Sequence, residues 1–244
     1  MNYKKNLITI FSFFLFSLFF TTTSFTLTSN MSLADKVENA INNRYNEDFD
    51  VTVNNDYIVT IKGQVNTYYD KLTISQIVSK IKGVRAIIDN VTVNTPILPE
   101  KEIQANIVNE LNMVSSILEP KRIKVKVDNG EVILGGTVSF YREKLMAQTV
   151  ASWEKGVKAI DNNIKVLSPA KAVSDSNLIE ILKDVLNNQF SVEKNVSFTV
   201  HNGVVNLNGT VDGLYAKKRI KDEFSSIIGI KKVINNLQIK SNLS

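Results

Sequence analysis

The sequence predicts an α+β fold made three times over: three tandem α-β-β-α-β units, each with two helices packed on a three-stranded mixed sheet. Three observations carry this. The stretch from Val204 to Lys240 recurs from Val59 and from Val132, with a glycine evenly spaced through the copies at Gly63, Gly136 and Gly209. A second glycine follows at the same separation in every copy, at Gly83, Gly156 and Gly229, and then an asparagine at Asn90, Asn163 and Asn236. Between these landmarks the apolar residues switch from helical spacing to alternation at the same places in each copy.

Each unit opens on a helix. Leu33, Val37 and Ile41 share one face in the first; Ile103, Ile107, Leu111 and Val114 in the second; Leu178, Leu182, Val185 and Leu186 in the third. Ser32 and Ser174 or Asp175 are the expected N-caps. Alternation at Val51 and Val53, at Ile123, Val125 and Val127, and at Val196, Phe198 and Val200 then predicts a half-buried strand. Asn129-Gly130 and Asn202-Gly203 read as two-residue hairpin turns, because both central positions need positive φ. Asn55-Asp56-Tyr57 is a weaker turn at the same place in the first unit.

The returning strand carries Val59 and Ile61, Val132 and Leu134, or Val205 and Leu207, then the first landmark glycine. Strand termination and close backbone approach explain that glycine; no phosphate-loop pattern follows Gly135-Gly136. Shortly after it, Asn66, Ser139 and Asp212 are each good N-caps and predict a second helix of about four turns. Its buried stripe is Leu72, Ile74, Ile77, Val78 and Ile81; Leu145, Ala147, Val150 and Ala151; or Ile220, Phe224 and Ile227. The second landmark glycine suits the C′ position that ends a helix. A last strand closes each unit with Val91 and Val93, Ile164 and Val166, or Leu237 and Ile239 facing in.

These units are expected at residues 31–95, 100–168 and 174–241, joined by Thr95-Pro96-Ile97-Leu98-Pro99, which should be extended, and by the looser Ser168–Ser174 stretch. Ahead of them, Lys4 and Lys5 precede the uncharged run Leu7–Phe20, the form of a secretory signal over residues 1–30. That run is short for a membrane span, which needs about 20 residues. Cleavage after Thr28 is one candidate and Ser32-Leu33-Ala34 another, with an uncleaved signal anchor as the alternative.

Composition narrows the chemistry. The chain of 244 residues has no cysteine, which excludes disulfides, thiol catalysis, Cys-based zinc sites and a thioether-lipid anchor. His201 is the single histidine and flanks a hairpin turn, so no Ser-His-Asp or Cys-His arrangement is available. No metal-site spacing is present; Asp48 with Asp50 and Asp222 with Glu223 read as solvated surface. An enzymatic role, a cofactor, a metal and a small-molecule substrate are therefore not expected.

Charge is more informative. Net charge is −1 over residues 31–99 (7 basic, 8 acidic), +1 over 100–168 (10 and 9) and +3 over 169–244 (10 and 7). The third unit concentrates its excess at Lys217, Lys218, Arg219 and Lys221, just after Leu214 and Tyr215, with Lys231 and Lys232 beyond the helix. A basic cluster beside apolar and aromatic groups suits an anionic lipid surface, at about 1 kcal/mol per Lys or Arg; an ordinary solvated helix face is the competing reading. Aromatics at the matching helix start, Tyr68, Tyr69, Phe140 and Tyr141, either pack over the sheet edge or form an inter-unit or partner surface. Trp153, the lone tryptophan, is either a helix-end core residue or a membrane or partner contact. Nucleic acid is a poor partner for so small a net charge on an exported chain.

With its α-β-β-α-β order, its V-x-[IL]-x-G-x-V strand ending, its helix ending in Gly-Val or Gly-Ile and its closing [DN]-N-[VIL]-x-[VIL] strand, the chain resembles the BON family (bacterial OsmY and nodulation domain). The resemblance covers everything after the N-terminal segment. It implies a bacterial exported protein, typically periplasmic and linked to envelope or osmotic stress. It further implies binding to phospholipid membranes or assistance to other envelope proteins. Many family members carry two copies, so a third is a departure. Two expectations follow: a periplasmic module binding anionic phospholipid surfaces, or a chaperone-like or scaffolding factor for envelope proteins.

Overall fold

The computed structural model describes residues 31–167 and 173–240. The expected signal segment, its cleavage after Thr28 and most of the second linker lie outside the described residues. Within them three α-β-β-α-β units follow one another. The first holds α1 (Leu33–Asn42), β1 (Asp50–Val53), β2 (Ile58–Val65), α2 (Tyr68–Ser79) and β3 (Ala86–Val93). The second holds α3 (Glu100–Met113), β4 (Ile123–Asp128), β5 (Glu131–Val138), α4 (Tyr141–Trp153), β6 (Ala159–Asn162) and β7 (Lys165–Val166). The third holds α5 (Asp175–Gln189), β8 (Val196–His201), β9 (Val204–Val211), α6 (Leu214–Ser225), β10 (Lys232–Asn235) and β11 (Gln238–Ile239).

Each sheet is mixed. The central strand pairs antiparallel with the strand before it, as in Val51 opposite Ile61, and parallel with the one after the helix, as in Val59 opposite Ile87. In the second and third units that last strand is broken into two pieces, β6 and β7 on β5, and β10 and β11 on β9. The break falls on the asparagine pairs: Asn162 Oδ1 accepts from the Ile164 N–H and Asn235 Oδ1 from the Leu237 N–H, side-chain bonds that compete with the ladder. The Asn-Gly turns take positive φ at both residues, 50° and 82° at Asn129 and Gly130, 51° and 74° at Asn202 and Gly203. In the first unit Tyr57 adopts φ 59° instead.

The apolar stripes close one core per unit. Val37, Ile41, Val59, Ile61, Ile74 and Val78 are fully buried in the first; Ile103, Ile107, Leu134, Ala147 and Ala151 hold the second; Leu178, Leu182, Leu207, Ile220 and Phe224 the third. Three expected stripe residues are not in a core: Leu72 and Ile77 are half-buried beside the first, and Leu145 is 41% exposed, the small Ala147 and Ala151 bringing α4 onto its sheet without it.

Two helix-end expectations are corrected. Asn66, Ser139 and Asp212 do not cap the second helices, which start at Tyr68, Tyr141 and Leu214. In the first unit Thr67 caps α2, its hydroxyl accepting from the Asp70 N–H. In the second the buried Glu143 carboxylate turns back and accepts from the N–H groups of Leu118, Ser139 and Phe140. In the third α6 has no Glu143 counterpart, since Ala216 stands there; Glu193 arrives from the loop before β8 and accepts from the Asp212 N–H. The second glycines also lie beyond the helix ends, each third in a separate turn closed by Val84 N–H to Ile81, Val157 N–H to Glu154, or Ile230 N–H to Ile227. Ser32 and Ser174 cap α1 and α5 as expected.

The first landmark glycines answer to backbone proximity. A methyl at Gly136 would collide with the Arg122 carbonyl and one at Gly209 with the Asn195 carbonyl, both at positive φ. The strand does not stop there but runs on to Val138 and Val211. What ends at the glycine is the hairpin partner.

The three units touch one another in cyclic order through one structural position, the first residue of the second helix. Tyr68 packs on the core of the second unit, the Tyr141 hydroxyl donates to Asp222 of the third, and Leu214 packs on the core of the first. These three residues occupy equivalent positions of the repeat. The following residue repeats the pattern at two seams: Tyr69 stacks on Trp153 at 4.4 Å between ring centroids, and Lys80 lies over the Tyr215 ring at 5.5 Å.

Candidate functional site

The amphipathic α6 buries Ile220 and Phe224 and leaves the opposite face to its charges. Helical spacing puts Lys218 and Lys221 one turn apart on that face, and both are exposed. Lys217 is half-buried. Arg219 bonds the Glu223 carboxylate at 2.8 Å and lies over Tyr215 at 5.9 Å, so its charge is partly spoken for. The Lys218 side chain keeps accessible surface, yet its amine sits close enough to the first unit that desolvation lowers its pKa, against the pull of Asp222 and Asp89.

Leu214 and Tyr215 are half-buried at the seam with the first unit, the one against that unit's core, the other under Lys80. Tyr68, Tyr69 and Tyr141 likewise serve the seams. Trp153 is 60% exposed although one face is taken by Tyr69, so it is an interface residue with a free side rather than a core residue. Burial and then Asp222 push the Tyr141 hydroxyl well above its ordinary pKa. Asp222, expected as solvated surface, is therefore half-buried and bound; Glu223 is paired with Arg219.

Lys144 and Lys165 of the second unit join Lys221, Lys231 and Lys232 of the third around one concavity. Lys144 on α4 donates to the Ile164 carbonyl at 2.9 Å, and its pKa is lowered by burial and by the nearby Lys221 charge. Lys165 follows on β7, Lys232 opens β10 and Lys231 precedes it. They converge from two separate units, so no linear spacing announces them. Among the described residues no group of three or more His, Asp or Glu could hold a metal ion. None of the described helices is long and apolar enough to cross a membrane.

A second feature lies on the other side of the third unit. Val196, Phe198 and Val200 on β8 are only half-buried, whereas their counterparts Ile123, Val125 and Val127 on β4 are buried. The outer edge of β4 is also covered, because the Gln104 side-chain amide donates to the Val125 carbonyl. Between α5 and β8 this leaves an open cleft of about 530 Å³ lined by Ile179, Leu186 and the three β8 apolar residues.

Comparison with known proteins places the chain. The BON domain model matches residues 30–95, 99–168 and 174–241. BON domains occur in envelope-associated proteins and are in general non-enzymatic. No curated protein matches the chain. Among solved structures it is similar to the C-terminal domain of CdsD, a structural protein of the type III secretion system of Chlamydia trachomatis, at 20% identity over 86% of this chain and 98% of that one, with a TM-score of 0.24. It is also similar to the periplasmic domain of the type III secretion inner membrane protein PrgH from S. typhimurium, at 15% identity over 80% and 94%, with a TM-score of 0.22. The matched segments make up well over half of the chain and coincide with the three α-β-β-α-β units, and on that ground the chain belongs to the BON domain family, in three tandem copies.

Proposed function

We propose that this chain is a non-enzymatic periplasmic protein that binds anionic phospholipid membrane surfaces and so supports envelope integrity under osmotic stress. The observation that carries this reading is the basic face of α6. Lys218 and Lys221 stand exposed one turn apart, and the only ion pair within the helix among the described residues is Arg219 with Glu223. Each such lysine near an anionic surface contributes about 1 kcal/mol, and the attraction fades within a Debye length as salt rises. Lys217, Lys218 and Lys221 are the proposed contacts, with Arg219 contributing less. Leu214 and Tyr215 position the helix against the first unit rather than entering lipid. Trp153 has a free face for a membrane or partner contact. Flotation with phosphatidylglycerol or cardiolipin vesicles tests the reading: binding should fall with salt and be lost in Lys217→Glu/Lys218→Glu. Flotation that ignores lipid charge would overturn it.

A second reading, binding of extended segments of envelope proteins, is favoured by the cleft beside β8. Its outer edge, unpaired among the described residues, and its alternating apolar residues suit an added strand. It predicts suppressed aggregation of an unfolded envelope protein without lipid, weakened by Phe198→Ser; no protection at molar excess counts against it.

A further inference from the structure

We infer that the seam between the second and third units is a binding pocket for a phosphate-bearing anion of headgroup size. A cavity of about 390 Å³ opens there, in the range of small-molecule sites. Five lysines line it: Lys144 and Lys165 from the second unit, Lys221, Lys231 and Lys232 from the third. Among the described residues no carboxylate lines it. Asp161 lies near Lys144 and Asp175 near Lys231, and Asp222 is held by the Tyr141 hydroxyl, but none of these faces the cavity. Among the described residues none of the five ammonium groups is ion-paired. Five like charges lining one concavity, with no ion pair among the described residues, favour an anion there.

The repeat supplies an internal control. Shifted by one repeat, the seam between the first and second units carries Lys71, Thr92, Gln148, Lys158 and Ala159 at the same positions. There Lys71 lies 3.6 Å from Asp89, a residue replaced by Asn162 and Asn235 in the other units. The seam between the third and first units carries Lys217, Gln238, Ser75, Arg85 and Ala86. At these five positions each of those seams thus has two cations where this one has five. The architecture alone does not ask for lysine here.

The apolar parts of the wall, Ile164, Val166, Ile230 and Val233, leave room for a glycerol-sized body beside the charged group. A phosphate ester meets both demands, and either a lipid headgroup or a free phosphate compound supplies one. The inference deepens the membrane reading and rests on it only for the lipid source.

Calorimetric titration of the whole chain at low salt, with inorganic phosphate and separately with monomeric dihexanoyl phosphatidylglycerol, tests it. Heat with phosphate alone assigns a free anion, heat with the lipid alone assigns a headgroup, and heat with both assigns the shared phosphate group; each supports the pocket if Lys165→Gln/Lys231→Gln weakens it. Removing one lysine should raise Kd about fivefold, and two about 25-fold. Lys165 and Lys231 are exposed, and no side-chain bond is lost, so these variants should fold. No heat with either probe, or heat unchanged in the double variant, overturns the inference. A protein that floats with vesicles but gives no heat leaves the membrane reading standing without the pocket. One that gives heat but does not float leaves the pocket without the membrane reading.

Discussion

Replacing Glu143 by glutamine should destabilise the second unit far more than the size of the change suggests. The side chain is 3% exposed and its two oxygens accept three backbone N–H groups: Leu118 at 2.8 Å on one, Ser139 at 2.9 Å and Phe140 at 2.8 Å on the other. An amide keeps one acceptor oxygen. Turned toward Ser139 and Phe140 it retains two bonds in weaker, neutral form, but its NH2 then faces the Leu118 N–H, donor against donor. Losing one charge-assisted bond costs about 1.5–3 kcal/mol, and the two that remain weaken. The neutral amide is cheaper to bury, and Leu118 is 62% exposed, so its loop can turn its N–H to water. The net expectation is about 2–3 kcal/mol. Trp153 ends the helix that Glu143 begins and is the only tryptophan, so its fluorescence reports this unit in a urea titration. Glu193→Gln is the control: this carboxylate accepts one backbone N–H, and desolvation raises its pKa, so the amide should cost under about 1 kcal/mol. A Glu143→Gln midpoint equal to that of the unsubstituted chain would refute the assignment of the carboxylate as the anchor of α4.

Two further outcomes are expected. Gly209→Ala places a methyl against the Asn195 carbonyl at φ 116°, at a cost of about 3 kcal/mol, so the melting temperature followed by far-ultraviolet circular dichroism should fall by about 5–10 °C; an unchanged melt would mean the hairpin yields freely. Asp175 accepts from the Gly203 and Asn202 N–H groups, which hold its pKa below the ordinary 3.8. Its contribution is present above that value and lost as pH falls through it toward the folded pKa. Asp175→Asn should therefore lower the urea midpoint at neutral pH and converge with the parent once pH has fallen below the folded pKa; a constant gap would remove the carboxylate from the account.

The units and their cores were legible because backbone demands repeat. Gly136 and Gly209 recur since a carbonyl lies where a Cβ would be, and Ile220 and Phe224 recur as a stripe since α6 must cover its sheet. Helix caps were read less well. Asn66, Ser139 and Asp212 look like one device, yet the first unit uses a threonine, the second a buried glutamate from within the helix, and α6 has no side-chain cap, with Glu193 bonding only the Asp212 N–H ahead of it. The N–H groups need an acceptor, and its source is a tertiary matter. The basic cluster on α6 could be seen along the chain, but the Lys144 and Lys165 half of the seam could not, because it comes from another unit. Tyr68, Tyr69 and Tyr141 sit at the seams between units, which their place along the chain does not distinguish from a sheet edge.

That cyclic packing changes where divergence between the copies matters. A solitary unit of this size buries too little surface to be robust, and here each borrows an apolar or aromatic group from a neighbour: Tyr68, Tyr141 or Leu214. The seams thus add to stability, and each is filled differently: an aromatic stack of Tyr69 on Trp153, a lysine-lined cavity, and Leu214 on the first core beside the Lys80–Tyr215 contact. Five lysines with no ion pair among the described residues oppose closure of the seam they line, since their like charges repel. An anion bound there relieves that repulsion and stabilises the folded chain by RT ln(1 + [L]/Kd). Ligand binding and the docking of the third unit on the second are then one equilibrium. The seam that is electrostatically weakest without ligand is the one whose closure a phosphate group would complete.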